Sequence, residues 1–294
     1  MNTSDSILEK INTIGIIGAG TMGRGIASIA ASSNFTTLIY DINDKALTKA
    51  HANIARGYDR LVEKEEIDHN RLKEIESHLN FTSEIKSLSS CDFIIEAAVE
   101  NLDLKKLLYS QLDDIVNKKA VLASNTSSLS ITAISSAVKN NKDRVIGMHF
   151  FNPANLMKLV EVIKGEFTSD SAVELALSLA KRLGKTPVLC KDSPGFLVNR
   201  IARSFYGEAL KIIGEENLRF EVIDNIMREE GEFRMGPFEL MDLIGIDINY
   251  EVTKSVFEAF YYDPKYKPHP IQQKMVEAGM LGKKTGRGFY SYNQ

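Results

Sequence analysis

Two ionisable side chains lie inside apolar runs: His149 in Val145 to Phe150, "VIGMHF", and Glu161 in Lys158 to Lys164, "KLVEVIK". Both runs are apolar and β-branched, and "NPAN" between them is turn chemistry, so the spacing predicts two short strands joined by a turn. A neutral polar group buried without a partner costs about 2–7 kcal/mol. The cheapest arrangement therefore pairs the two residues with each other. A histidine backed by an acid is suited to taking a proton from a hydroxyl, with the acid fixing the ring tautomer and stabilising the imidazolium. The same two residues could instead form a structural ion pair, and the sequence pattern leaves both readings open.

A second constellation is Gly-rich. "GIIGAGTMGRG" supplies Gly18, Gly20 and Gly23 as GxGxxG, directly after a strand pattern and at the start of a helix pattern. Gly18 allows a tight turn, Gly20 removes a side chain where a pyrophosphate must approach the backbone, and Gly23 lets helix and strand pack closely. The N–H groups at the helix N-terminus then hold the phosphates. Asp41 ends the next strand pattern at the spacing the motif requires, where a carboxylate accepts from a ribose 2′-OH and repels a 2′-phosphate. NAD is thus expected over NADP. Asp41 could alternatively serve the following helix, although Asn43 is placed to cap it.

These residues need a frame. Strand patterns at "TIGIIG", "TTLIYD", "NFTS", "DFIIEAA", "AVLASN" and "VIGMHF" alternate with helix patterns, among them Asn43 to Val62 and Leu102 to Val116. Such alternation implies right-handed βαβ crossovers and a largely parallel sheet. "EKEEIDHNRLKEIESH" reads as a solvated helical excursion. After "TPVLCKD" only helical patterns follow, and "DSPGF" marks the boundary, with Ser193 as N-cap and Pro194 at the first helical position. The expected architecture is α/β: a Rossmann-type, doubly wound, largely parallel sheet over residues 1–192, and a smaller all-helical domain over 193–294. In an open α/β sheet ligands sit outside the carboxyl ends of the strands, which puts His149 and "SNTSS", residues 124–128, on the cofactor side.

Composition narrows the partners. Across 294 residues, 36 Lys and Arg against 39 Asp and Glu leave a net charge of −3. No broad cationic surface is expected for nucleic acid or an anionic membrane. Cys91 and Cys190 lack metal-site spacing and read as buried, reduced thiols, and no metal site is expected. "MNTSDSILEK" carries acid before any apolar run and lacks a signal-peptide core, and no apolar segment approaches the roughly 20 residues that span a bilayer. A cytoplasmic protein is expected.

The segments "GIIGAGTMGRGIA", "AVEN", "LASNTSSL", "HFFNPANLMKLVEVI", "KDSPGFLVNR", "MGPFELMDLIG" and "GKKTGRGFY" together resemble the L-3-hydroxyacyl-CoA dehydrogenase family, including 3-hydroxybutyryl-CoA dehydrogenases, over about residues 11 to 292. The resemblance implies an NAD-dependent oxidoreductase interconverting (S)-3-hydroxyacyl-CoA and 3-oxoacyl-CoA, in fatty acid or butanoate metabolism. It implies catalytic roles for His149 as the base and Glu161 as its partner. Ser128 would hydrogen-bond the substrate oxygen, and Asn199 would lie near the reacting carbonyl. NAD contacts would come from Gly18, Gly20, Gly23, Asp41, Glu100 and Lys105, with Asn152 near the nicotinamide. The family's CoA-contacting lysine aligns nearest to Lys64, for which a solvated helix face is an equally good reading. Without the resemblance, Ser128 would be a loop or helix-start serine and Asn199 a surface helix position. The family's second domain is helical and dimerises, implying a homodimer. Two rivals remain: a relative on the same scaffold that oxidises a sugar acid, and a protein that keeps NAD without chemistry.

Overall fold

The computed structural model describes residues 11–292 apart from Asn217. The opening stretch "MNTSDSILEK" lies outside the described residues. The chain divides into two compact units, one ending at Ser193 and one beginning at Pro194.

The first unit is built on one eight-stranded sheet: β1 (Thr13–Ile17), β2 (Thr36–Tyr40), β3 (Leu79–Thr82), β4 (Phe93–Glu96), β5 (Val121–Ser124), β6 (Val145–Phe150), β7 (Leu159–Lys164) and β8 (Thr186–Lys191). The order is β3-β2-β1-β4-β5-β6-β7-β8, so the chain reverses its winding between β1 and β4. All neighbours are parallel except β6 and β7, which are antiparallel and place His149 directly opposite Glu161. This is the doubly wound Rossmann arrangement, whose ligand crevice opens at the switch point.

The connecting helices are α1 (Thr21–Ser32), α2 (Asp44–Glu63), α3 (His69–Ser77), α4 (Leu102–Ile115), α5 (Ile131–Ser135) and α6 (Asp170–Arg182). Helix α1 buries Ile26, Ala27, Ala30 and Ala31 among Ile14, Ile16, Phe93 and Ile95 of the central strands. These small helix residues permit the close approach to the sheet. Asn43 caps α2, accepting from the N–H groups of Lys45 and Ala46. Of the charged excursion only His69–Ser77 is a separate helix, α3, capped by Asp68; residues 64–68 form the turn that follows α2.

The second unit contains α7 (Val198–Glu215), α8 (Phe220–Glu229), α9 (Pro237–Ile244), α10 (Ile246–Ala259) and α11 (Pro270–Glu277), and no strand among its described residues. Its core joins Tyr206, Leu210, Phe238, Met241 and Ile246. Two buried acids fasten the tail to it. Asp242 accepts from the N–H groups of Phe289 and Tyr290, and Asp224 accepts from the Tyr290 hydroxyl.

Two expectations are corrected. The helix after "DSPGF" does not start with Ser193 as cap and Pro194 at its first position. Residues 194–197 form a turn with Gly195 at φ +70° and Phe196 at φ +46°, and α7 begins at Val198. Gly195 permits the reversal, and burial of the Phe196 side chain holds it. The cysteines are both free, but only Cys91 is buried: Cys190 is half-buried on the edge strand β8. Burial pushes both thiols up to about 12.

Candidate active site

The Gly-rich loop joins β1 to α1, and its glycines meet three different constraints. Gly18 is at φ +99°, and a Cβ there would lie 2.7 Å from the Ala97 carbonyl oxygen. A Cβ on Gly23 would lie 1.8 Å from the Gly18 carbonyl oxygen, so only glycine allows α1 to start there. A Cβ on Gly20 would meet nothing within 4 Å. Gly20 thus faces open space at the N-cap of α1, which carries no side-chain cap and no acid in its first turn. A pyrophosphate fits that combination of space and available N–H groups.

The space belongs to a cleft of about 750 Å³ lined by Gly18, Gly20, Asp41, Lys49 and Lys105, among others. Asp41 accepts from the Ala19 N–H at 2.8 Å and from the Asn43 N–H at 2.9 Å, tying the end of β2 to the Gly-rich loop. The apolar wall includes Ile42, which is 83% exposed, and Leu104 and Leu107 of α4. An exposed apolar wall beside a carboxylate is the chemistry that an adenosine half of a dinucleotide needs.

Lys105 lines this cleft, but its ammonium is buried against Glu96 at 2.5 Å and lies 3.4 Å from Glu100. Glu96 is fully buried at the end of β4 and also accepts from the Ala98 N–H and the Ser124 hydroxyl. Glu96 is the site residue that sequence reasoning missed. The signal was an acid inside the apolar run "DFIIEAA", the same signal that singled out Glu161. Glu100 is not among the residues lining the cleft; its carboxylate accepts from the Thr126 hydroxyl at 2.6 Å, the Ser127 N–H at 2.9 Å and the Ser128 hydroxyl at 3.4 Å. Burial pushes the Glu100 carboxyl up, but the Thr126 hydroxyl and the Lys105 ammonium outweigh it and hold it below the usual range.

The loop after β5 is joined to the strand that carries His149. Asn125 accepts from the Phe150 N–H at 2.8 Å, one residue past the histidine. His149 Nδ1 lies 2.7 Å from Glu161 Oε2, with side chains 9% and 0% exposed. The antiparallel β6–β7 register makes this contact directly cross-strand. The pair can hold a proton at one site and stabilise it with a buried carboxylate.

A second cleft of about 580 Å³ lies along α1 and α2 and is lined by Arg24, Ser28, Tyr58, Asn152, Asn155 and Arg182, among others. Asn152 sits here, in the turn after β6, and does not line the larger cleft. Lys64 is the C-cap residue of α2 and lines neither cleft. Asn199 lies in the first turn of α7, in the second unit. Among the described residues there is no cluster of metal-ligating side chains, and no helix is long and apolar enough to cross a membrane.

The sequence pattern described as "3-hydroxyacyl-CoA dehydrogenase, NAD binding domain" matches residues 13–193, and that described as "3-hydroxyacyl-CoA dehydrogenase, C-terminal domain" matches residues 195–292. The chain is 44% identical over 286 residues to 3-hydroxyadipyl-CoA dehydrogenase of Escherichia coli K12, covering 97% of this chain and 60% of that protein's length. It is 41% identical to 3-hydroxybutyryl-CoA dehydrogenase of Clostridioides difficile, over 96% of this chain and 99% of the relative. A crystal structure of (S)-3-hydroxybutyryl-CoA dehydrogenase from Ralstonia eutropha superimposes with a TM-score of 0.92 at 42% identity, covering 97% of this chain and 100% of that one. The chain belongs to the 3-hydroxyacyl-CoA dehydrogenase family, with an NAD-binding domain of that family as its first unit.

Proposed function

We propose that the protein is an NAD-dependent dehydrogenase that interconverts (S)-3-hydroxyacyl-CoA, with 3-hydroxybutyryl-CoA as the leading candidate, and 3-oxoacyl-CoA. The observation that carries the reading is the His149–Glu161 contact at 2.7 Å, buried at the carboxyl end of a strand in a sheet whose switch point offers a dinucleotide cleft. NAD bound there supplies a hydride acceptor. His149 and Ser128 hold the substrate hydroxyl, and His149 takes its proton while Glu161 steadies the resulting imidazolium. The family resemblance gives Asn199, in the first turn of α7, a part in the same reaction.

Gly18, Gly20 and Gly23 cradle the pyrophosphate, Asp41 receives the ribose, and Lys105 holds the cleft wall in place through Glu96. Glu100 orders the 126–128 loop that carries Ser128, and Asn152 lies by the nicotinamide. The second cleft, with Arg24 and Arg182 on its wall, offers local positive charge for the phosphates of CoA in a chain whose net charge is −3. Lys64, at the end of α2, adds charge at most from the margin.

Domain roles follow the same division: cofactor binding in 1–192, and substrate positioning with homodimer formation in 193–294. Val222, Ile226, Leu243 and Ile248 of the second unit are exposed and supply apolar surface for a second copy. The reaction belongs to fatty acid or butanoate metabolism in the cytoplasm.

The test is oxidation of NADH with acetoacetyl-CoA, on wild type and His149→Ala. The substitution is expected to lower turnover by about 10²–10⁴ with little change in NADH affinity. Turnover comparable to wild type would remove His149 from the chemistry. A wild type that binds NADH but reduces no 3-oxoacyl-CoA would redirect the search to sugar acids. Rates with 3-oxoadipyl-CoA beside acetoacetyl-CoA rank the two acyl types carried in the relatives' names.

A further inference from the structure

The turn between β6 and β7 connects the two halves of the His149–Glu161 pair and carries Asn152. It has little local support. The N–H groups of Leu156 and Met157 both reach the Pro153 carbonyl, at 3.1 and 3.0 Å, and Asn152, Pro153 and residues 155–158 are exposed. The Thr186 N–H donates to the Lys158 carbonyl at 2.8 Å where the turn enters β7, and two side-chain contacts from distant parts of the chain fix the rest. Ala154, the turn's buried residue, packs against α1 at Gly25, where an added Cβ would lie 3.1 Å from the Ala154 Cβ. The second contact is Lys185, only 9% exposed, immediately before β8. Its ammonium donates to the Ala154 carbonyl at 2.6 Å and to the Met157 carbonyl at 2.9 Å, the two ends of the turn's exposed tip.

A buried ammonium is an expensive way to hold two carbonyls. Burial lowers the pKa of Lys185, which marks the cost of keeping it charged there. An uncharged residue of similar volume would avoid that cost but leave the Ala154 and Met157 carbonyls without this donor, so what the lysine adds is its hold on those two carbonyls. A short, charge-assisted clamp on two carbonyls does set the turn's position more narrowly than apolar packing would.

We propose that Lys185 is a positioning residue for the reaction: by clamping the carbonyls of Ala154 and Met157 it fixes the turn that presents Asn152 to the nicotinamide, beside the strand of His149. The inference rests on the functional reading above for the role of Asn152. Lys185 touches neither cofactor nor substrate and acts through the turn. Gly25 and Lys185 grip the turn from opposite partners, the cofactor helix α1 and the start of β8. Cofactor binding and catalytic strand geometry are thereby linked at Ala154.

The test compares wild type, Lys185→Met and Lys185→Arg. Met keeps the volume and removes the donors; Arg keeps donors for both carbonyls. The readouts are the dissociation constants of NADH and of ADP-ribose, which lacks the nicotinamide, together with kcat and KM for acetoacetyl-CoA. Lys185→Met is expected to weaken NADH about 3–10-fold while leaving ADP-ribose within about twofold, and to lower kcat about 10–100-fold with KM nearly unchanged, since misplacement by about 1 Å can cost about 10²-fold. Lys185→Arg is expected to restore most of both. A merely structural lysine would shift both ligands together or neither. An unchanged NADH to ADP-ribose ratio in folded Lys185→Met overturns the proposal whatever the rates. If wild type fails to reduce acetoacetyl-CoA, the functional reading falls on that result, while the binding ratio still decides the role of Lys185.

Discussion

Replacing Glu161 by Gln isolates the carboxylate's charge from its shape. Glu161 is fully buried, and its Oε2 lies 2.7 Å from His149 Nδ1, which puts the two charge centres roughly 4 Å apart once the ring is protonated. At an effective dielectric of about 20, unit charges about 4 Å apart attract by about 4 kcal/mol. Glutamine keeps an acceptor oxygen in place and recovers about 1 kcal/mol as a neutral hydrogen bond. The difference of about 3 kcal/mol is lost where the imidazolium forms, which corresponds to about 10²-fold in kcat. Substrate binding precedes the charge, so KM and NADH affinity are expected within about threefold of wild type. The assay is the NAD-linked oxidation of (S)-3-hydroxybutyryl-CoA, the direction in which the imidazolium forms during turnover, with NADH titrated by fluorescence and folding checked by thermal unfolding. A folded Glu161→Gln that binds NADH and turns over within about threefold of wild type refutes the reasoning. The pair would then be structural.

Gly23→Ala places a Cβ 1.8 Å from a backbone oxygen, and the loss of folded yield and of NADH binding should exceed the usual overpacking penalty of about 1–3 kcal/mol; a stable, NADH-binding variant would contradict the loop geometry. Asp41→Ser removes the acceptor of the Ala19 N–H and the repulsion of a 2′-phosphate in a cleft that already contains Lys49, so NAD should weaken about tenfold and the NADP to NAD affinity ratio should rise, as read by equilibrium titration. Asp113 should anchor acid stability: burial raises its carboxyl, but the Asn140 N–H and Arg144 outweigh that and hold it below 3.8, while Glu100 is held below 4.5. Because the folded values are depressed, both groups stabilise the fold above those ordinary values, and the stability is lost as pH falls through the folded ones. Urea midpoints should be flat from neutral pH down to about 5 and then fall, with a shallower fall in Asp113→Asn, which should also cost about 3–5 kcal/mol by leaving Arg144 buried without its acid. An identical acid slope in the variant would remove Asp113 from the account.

The His149–Glu161 contact was legible because both members interrupt apolar β runs separated by a short turn, so the partner search was local. The Gly-rich loop was legible for the same reason: its constraints are steric and fall within one βα unit. Glu96 interrupts "FIIE" just as visibly, but its partner Lys105 lies on an amphipathic helix, where a lysine looks solvated until the helix is docked. Lys185, in "LGKTPV", looks like an ordinary loop lysine, and only the pairing of β7 with β8 brings it to the turn at Ala154. The start of α7 escaped because Ser193 and Pro194 satisfy every local rule for a helix N-terminus. What overrides them is the burial of Phe196, a long-range event.

The two kinds of residue differ in what they do to the carboxyl edge of the sheet. Parallel strands end without hairpins, so nothing in the backbone ladder sets one loop against the next. Here side chains do so in sequence across the edge. Asp41 ties β2 to the loop after β1 through the Ala19 N–H, and Glu96 ties β4 to β5 through Ser124. Asn125 ties β5 to β6 through the Phe150 N–H, and His149 ties β6 to β7 through Glu161. Each link is a buried or half-buried polar group whose partner sits one strand over, and breaking any of them leaves a buried donor or acceptor unmet at about 1–3 kcal/mol. The series explains why a polar residue at the end of an apolar strand is a better guide to this site than any exposed charge. Such residues position the loops whether or not they touch a ligand, and His149 is the one among them to which the proposed reaction gives a proton to carry.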